Sequence, residues 1–237
     1  MTDSNLPGKG PDALSAYNND EGVVMPTVVT TMYQSRIIDH NVFSVYFQPL
    51  DYSSQLNRIN GEVIFGGVNM SYVEGDVSYA PISTNQDFLD YWSVDIDRIE
   101  AGNRTFQYTK KLVALTDTGS TLLFLPSEAV NAVFENVTGA WRDYYGQYVV
   151  PCDSKDLGSV KLTMGGIDYE LSPEDYVISA GPLNGPSKGY CYTYLMDAPD
   201  YVDAILGYGF LQHFVSVYDA ENRRIGFGRR KELNKLQ

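Results

Sequence analysis

Apolar and polar positions along this chain alternate in short bursts, mostly with the period of two that a pleated strand requires. Val42-Phe43-Ser44-Val45-Tyr46-Phe47, Glu62-Val63-Ile64-Phe65, Val160-Lys161-Leu162-Thr163-Met164 and Cys191-Tyr192-Thr193-Tyr194-Leu195 each predict a strand. So do Phe214-Val215-Ser216-Val217-Tyr218 and Ile225-Gly226-Phe227, and Asp219-Ala220-Glu221-Asn222 between them predicts a hairpin. Trp92-Ser93-Val94-Asp95-Ile96-Asp97 alternates strictly, as a strand wet on one face does. Gly66-Gly67 and Gly165-Gly166 close two of these runs with turns. Two stretches carry a helical pattern. One spans Pro26 to Ile38, with Pro26 in the first turn and Val29, Met32, Tyr33 and Ile37 recurring on one face. The other runs from Ser127 to Phe134 behind Pro126, with Glu128 near its positive end. The opening to about Tyr17 is rich in Gly, Pro and polar residues and reads as loop. The expected fold is mainly β with a few short helices.

Composition narrows this picture. The 237 residues suffice for one large β domain or two small ones with a real core. Nineteen tyrosines suit half-buried pleated surfaces. The net charge of −13 disfavours the phosphate backbone of nucleic acids and suits solubility in mildly acidic media. No apolar run approaches the roughly 18 residues of a membrane-spanning helix. Arg223, Arg224, Arg229, Arg230, Lys231 and Lys235 crowd the C-terminus and read as a solvated hairpin and tail.

Cys152 and Cys191 have neither a zinc spacing nor a CxxC redox spacing. Asn69, Asn103 and Asn136 each begin an Asn-x-Ser/Thr sequon, which with an even cysteine count leans towards a secretory history. If bridged, the cysteines would stabilise the loop between them by roughly 3–4 kcal/mol; buried thiols are the alternative. Met1-Thr2-Asp3-Ser4-Asn5 is polar, with no basic start and no apolar signal core, which runs against that history. A trimmed chain or a start partway through a longer gene would reconcile the two.

Most catalytic arrangements find no residues to build them. There is no Gly-x-Ser-x-Gly elbow, no Rossmann or Walker phosphate loop and no His/Cys metal cluster. His40 and His213, the two histidines, read as ordinary surface or core-edge residues. What remains is Ala114-Leu115-Thr116-Asp117-Thr118-Gly119-Ser120-Thr121, followed at once by Leu122-Leu123-Phe124-Leu125. An apolar run delivers one carboxylate into a turn of small hydroxyl residues, and the flanking runs predict a buried-looking strand end. There the Asp would be held by backbone N–H and hydroxyl groups. Gly119 would let a peptide backbone approach. A plain β-turn with Asp and Gly in favourable places is the other reading of the same residues.

The surroundings decide between these. Leu115 to Leu122 resembles the second active-site motif of the pepsin-like aspartic proteases. Ala204-Ile205-Leu206-Gly207-Tyr208-Gly209-Phe210-Leu211, with Val215 to Asp219 and Arg224 to Gly228, resembles that family's C-terminal signature. Phe43-Ser44-Val45-Tyr46, Phe65-Gly66-Gly67-Val68 and Tyr91-Trp92-Ser93-Val94 resemble the run from its first lobe into its second. The likeness extends over nearly the whole chain from about Gly10 and is nearest to fungal secreted members. Tyr208 and Gly209 stand where members more often carry Asp and Val.

The resemblance implies a pepsin-like acid protease fold: residues 1–40 as the end of an N-terminal lobe, 41–100 as interlobe strands and 101–237 as the C-terminal lobe. It implies a disulfide between Cys152 and Cys191. It makes Asp117 a catalytic carboxylate supported by Thr118, Gly119, Ser120 and Thr121, with Tyr91, Leu195, Met196 and Ile205 lining a polypeptide-binding cleft. No cofactor and no metal is implied, and the compartment is secretory, extracellular or vacuolar. Family members use two aspartates, and no second Asp-Thr/Ser-Gly occurs in this sequence. The partner carboxylate is therefore expected from a preceding lobe or from a second copy of the chain. A peptide-binding module without catalysis is the alternative.

Overall fold

In the computed structural model, which describes residues 11–15, 22–48, 61–178 and 189–231, strands account for most of the regular secondary structure. Two short helices, α1 (Pro11–Leu14) and α2 (Val28–Gln34), precede β1 (Val42–Phe47), β2 (Gly61–Phe65) and β3 (Ser78–Pro81). A long hairpin of β4 (Ser93–Ala101) and β5 (Arg104–Thr116) leads to β6 (Leu123–Leu125) and α3 (Ser127–Phe134). Two smaller hairpins follow, β7 (Trp141–Arg142) with β8 (Tyr148–Pro151), and β9 (Val160–Met164) with β10 (Ile167–Leu171). Then come α4 (Pro173–Tyr176), β11 (Tyr190–Tyr192), β12 (Leu195–Asp197), β13 (Ala204–Leu206) and α5 (Tyr208–Leu211). The closing hairpin is β14 (Phe214–Asp219) and β15 (Arg224–Arg229).

These strands form three sheets, ordered β2-β1-β14-β15-β3, β10-β9-β4-β5-β13-β6-β12 and β11-β8-β7. In the first, β1 and β3 join the C-terminal hairpin, so residues far apart in sequence share one sheet. In the second, β13 is inserted between β5 and β6, parallel to one and antiparallel to the other. The main core lies against this sheet. Ile96, Ile99, Leu123, Leu125, Leu162, Met164, Leu171, Leu195 and Phe210 are fully buried. Each such side chain contributes on the order of 1.5–3 kcal/mol of transfer free energy.

Helix α3 spans the residues its pattern predicts, burying Ala129, Val130, Ala132, Val133 and Phe134. Helix α2 is shorter than the predicted stretch from Pro26 to Ile38. The Thr27 hydroxyl accepts the Thr30 N–H at 3.3 Å, which caps the helix and sets its first residue at Val28, two after Pro26. Arg36, at φ 57°, stands beyond its end, and Tyr33 and Ile37 face water. The run from Cys191 to Leu195 is not one strand but parts of β11 and β12, in different sheets. At the break, Thr193 and Tyr194 send their N–H groups to Tyr148 and Tyr176, and this pairing carries the chain from one sheet to the next. Of the loop predicted to about Tyr17, Pro11–Leu14 is a helical turn followed by Ser15; residues 1–10, 16 and 17, like Lys235, lie outside the described residues.

Candidate active site

The insertion of β13 beside β5 determines where Asp117 stands. Ala114, Leu115 and Thr116 pair in parallel with Ala204, Ile205 and Leu206, and Asp117 N–H continues the ladder to Leu206 O at 3.1 Å. There the chain leaves the sheet, with Ser120 N–H reaching Asp117 O at 3.3 Å. Gly119 N–H donates to Asp117 Oδ1 at 2.9 Å, and the Ser120 hydroxyl donates to Oδ2 at 2.6 Å. Each carboxylate oxygen thus accepts one hydrogen bond from within the turn. The sequence placed this carboxylate at a buried-looking strand end. It is held as expected, but exposed, because β5 stops at Thr116 and the turn lifts Asp117, Thr118 and Gly119 into the open. A Cβ on Gly119 would come within 3.2 Å of Asp117 Oδ1 and crowd that oxygen.

A second loop clasps this turn from behind. Tyr208 N–H donates to Ser120 O at 2.8 Å and Gly209 N–H to Thr121 O at 2.9 Å. A Cβ on Gly207 would collide with the Leu122 carbonyl, and one on Gly209 would come within 2.6 Å of Tyr194 Cβ. The Gly207-Tyr208-Gly209 sequence is therefore what close approach of two backbones requires. Tyr208 also donates its hydroxyl to Gln48 O at 3.2 Å, tying α5 to the end of β1.

Thr121 contributes through its backbone carbonyl, and Thr118 lines a cavity with Val45, Tyr46, Phe47, Gly61, Glu62 and Val63. Tyr91 is exposed, its ring edge-on to Phe88 at 6.2 Å. The next residue, Trp92, accepts the Thr116 N–H at 2.8 Å, which sets Tyr91 beside the Asp117 turn. Met196 and Ile205 are half-buried on the sheet face away from the core. Leu195, expected in the cleft, is fully buried instead, because alternation along β12 turns it towards the core while Met196 turns outward. Two residues that the pattern did not single out, Leu115 and Phe124, complete the outward row. Leu115 pairs with Ile205, Ile205 with Phe124, and Phe124 with Met196. Their signal was the alternation of β5 and β6, but joining them needed the position of β13.

Beneath the turn, Tyr218 stacks on Phe43 at 4.5 Å and meets Trp92 edge-on at 5.3 Å. Burial pushes the Tyr218 phenol well above its ordinary pKa; Ser216 opposes this and the charge of Asp117 adds to it. An apolar cavity of about 440 Å³ opens beside Phe43 and Trp92, rimmed by Val28, Val63 and Phe65, all exposed.

Cys152 and Cys191 form a disulfide across 39 positions. Asn103 and Asn136 are exposed, whereas Asn69 is half-buried and accepts the Ser71 N–H at 3.0 Å. Among the described residues, no helix is long and apolar enough to cross a membrane.

The turn thus holds an exposed carboxylate by two short hydrogen bonds, near a half-buried apolar row. Residues 13–230 match the family model described as eukaryotic aspartyl protease, and the chain belongs to that family. It is 33% identical to human gastricsin over 222 residues, covering 91% of this chain and 52% of gastricsin. It is 31% identical to mouse cathepsin D over 209 residues, covering 86% and 48%. Among solved structures, the aspartic proteinase from Irpex lacteus superposes with a TM-score of 0.75 at 27% identity, covering 88% of this chain and 62% of that one. The chain thus spans about half the length of the curated relatives it matches.

Proposed function

We infer that this chain supplies one carboxylate, Asp117, to a two-carboxylate centre that hydrolyses peptide bonds in polypeptides at acidic pH. The observation that carries this is the hold on Asp117: Gly119 N–H and Ser120 Oγ each donate to one of its oxygens while the residue stays exposed to an approaching group. Two neighbouring carboxylates resist ionising together and so share a proton. The ionised member takes a proton from a water as that water attacks the peptide carbonyl, and the protonated member donates to the carbonyl oxygen. Asp117 alone cannot fill both roles in one turnover. The second carboxylate comes from sequence outside this chain or from Asp117 of a second copy, with residues 101–237 as the C-terminal lobe, 41–100 as interlobe strands and 1–40 as the end of the other lobe. The exposed apolar rim formed by Val28, Val63 and Phe65 is the surface such a partner would cover. Tyr91, Met196 and Ile205, with Leu115 and Phe124, would receive substrate side chains.

The Cys152–Cys191 disulfide and exposed sequons at Asn103 and Asn136 support a secretory route with glycosylation. The test is hydrolysis of a denatured protein at acidic pH, with light scattering to follow self-association. Cleavage that tracks the paired species and disappears in Asp117→Asn is expected. Cleavage that survives Asp117→Asn sinks the reading. Peptide binding without turnover in every assembly state would favour a binding module instead.

A further inference from the structure

Two side-chain oxygens close to the Asp117 turn are shut off from solvent and have no hydrogen-bond partner among the described residues: Thr116 Oγ1 and the phenol oxygen of Tyr218. Burying a polar group without a partner is costly, and folded chains hold few such groups. Ser44 Oγ and Arg98 Nε share this condition. Arg98, however, keeps ion pairs to Glu100 and Asp168 through Nη2, and alternation along β1 sends Ser44 to the face opposite Phe43.

Strand register brings Thr116 and Tyr218 to one place. Ser93 pairs with Leu115, and Thr116 N–H donates to Trp92 O at 2.8 Å. Thr116 therefore stands opposite Trp92, and the two side chains leave the sheet on the same face. Tyr218 reaches that face from the other sheet. It is the register partner of Phe43, stacks on it at 4.5 Å and meets Trp92 edge-on at 5.3 Å. Phe43 in turn meets Trp92 edge-on at 5.9 Å. These rings wall a space between two sheets that both hydroxyls face. Ser216, on the same face of β14 as Tyr218, turns its own hydroxyl to Val45 O at 3.5 Å. Burial pushes the Tyr218 phenol well above its ordinary pKa; Ser216 opposes this and the charge of Asp117 adds to it. The phenol thus keeps its proton in acid and remains a donor.

We propose that Thr116 and Tyr218 are positioning residues for Asp117, their hydroxyls joined through one internal water into a hydrogen-bonded unit under the turn. Neither hydroxyl bonds to the other, so the link needs a third group, and water is the one suited to an enclosed polar site. Thr116 is the last residue of β5, and Asp117 follows it out of the sheet. A fixed Thr116 side chain holds the backbone at that exit, and with it the direction of the carboxylate. A misplacement of about 1 Å at a reacting group costs on the order of a hundredfold in rate, so the hold at this exit matters. The effect on rate rests on the reading of Asp117 as catalytic; the hydrogen-bonded unit does not.

The experiment has two arms on the whole chain: wild type, Tyr218→Phe, Thr116→Val, the double variant and Thr116→Ser. The first arm is urea unfolding. Each of the first two single variants should lower the folding equilibrium constant about tenfold, and the double variant little further, because either change breaks the same unit. Thr116→Ser keeps the hydroxyl and should fold as the wild type does. If the hydroxyls are truly unpaired, Tyr218→Phe instead leaves stability unchanged or raises it, and that result overturns the unit. Losses that simply add overturn it too. The second arm is acid proteolysis at a temperature where every variant is folded. Tyr218→Phe and Thr116→Val should lower kcat about tenfold with KM unchanged, and Thr116→Ser should retain the rate. Unchanged kcat beside coupled losses of stability overturns the positioning role. Wild type that hydrolyses nothing in any assembly state overturns the catalytic reading of Asp117 and the positioning role with it, while the unfolding arm still decides the unit.

Discussion

Gly207 stands against the carbonyl of Ser120: a Cβ there would come 2.7 Å from that oxygen, which already accepts the Tyr208 N–H at 2.8 Å. The loop after β13 and the turn that carries Asp117 are thus locked backbone to backbone. Gly207→Ala must push them apart, and overpacking of this kind costs about 1–3 kcal/mol. Calorimetry should show a fall in Tm of several degrees. Acid proteolysis should fall by a larger factor than the loss of folded protein accounts for, because the displaced backbone bears Ser120.

The Ser120 hydroxyl donates to Asp117 Oδ2 at 2.6 Å on an exposed turn. Removing it with Ser120→Ala should lower kcat for peptide hydrolysis about tenfold, the scale of a hydrogen bond to a charged group. Thermal stability should change little, because water can replace the donor in the open turn. Ser120→Thr restores a hydroxyl and should recover much of the rate. Equal rates for all three proteins would remove Ser120 from the support of Asp117.

The Cys152–Cys191 bridge closes a loop across 39 positions. On the chain-entropy model its loss costs about 3–4 kcal/mol, or roughly 10 °C in Tm for a chain of this size. Calorimetry of Cys152→Ser/Cys191→Ser should show that drop, and added reductant should take the wild type to a similar temperature.

Two groups make stability depend on pH, in different windows. Burial tends to raise the pKa of Asp219, but hydrogen bonds from Asn222 and Arg224 outweigh it and hold the carboxyl below its ordinary value. Its stabilisation is present above the unfolded carboxyl pKa, near 4, and is lost as pH falls through the folded value. Asp219→Asn should therefore destabilise the protein at pH near 6 and matter much less in strong acid. Urea unfolding at the two pH values measures this.

His213 behaves differently. Burial lowers its pKa against the pull of the Asp175 carboxylate and carbonyl, with Arg229 and Arg230 adding to the lowering. The unfolded chain protonates first, so a penalty grows as pH falls below about 6.5 and levels off at the folded value. His213→Gln should flatten the decline in Tm between neutral and mildly acidic pH. An unchanged slope would show that this histidine does not contribute to it.

Local pattern carried most of the secondary structure. The strands that became β1, β9 and the β14–β15 hairpin, and helix α3, follow from side-chain periodicity and turn residues, which act over a few neighbouring positions. The same local reasoning overextended α2, because the capping interaction between Thr27 and Thr30 outweighed Pro26 as a start signal. It also merged β11 with β12, because the backbone partners of Thr193 and Tyr194 lie in β8 and α4, distant in sequence.

By itself the sequence determined that one carboxylate sits in a turn of hydroxyl residues between two apolar runs, and that this turn resembles an acid protease motif. Those are properties of adjacent residues. Only the tertiary structure decided that Asp117 is exposed, that Leu195 turns inward and Met196 outward, and that Leu115, Ile205, Phe124 and Met196 form one row. The reason is the insertion of β13 between β5 and β6: it joins strands separated by scores of residues, and only that long-range pairing assigns each side chain its face.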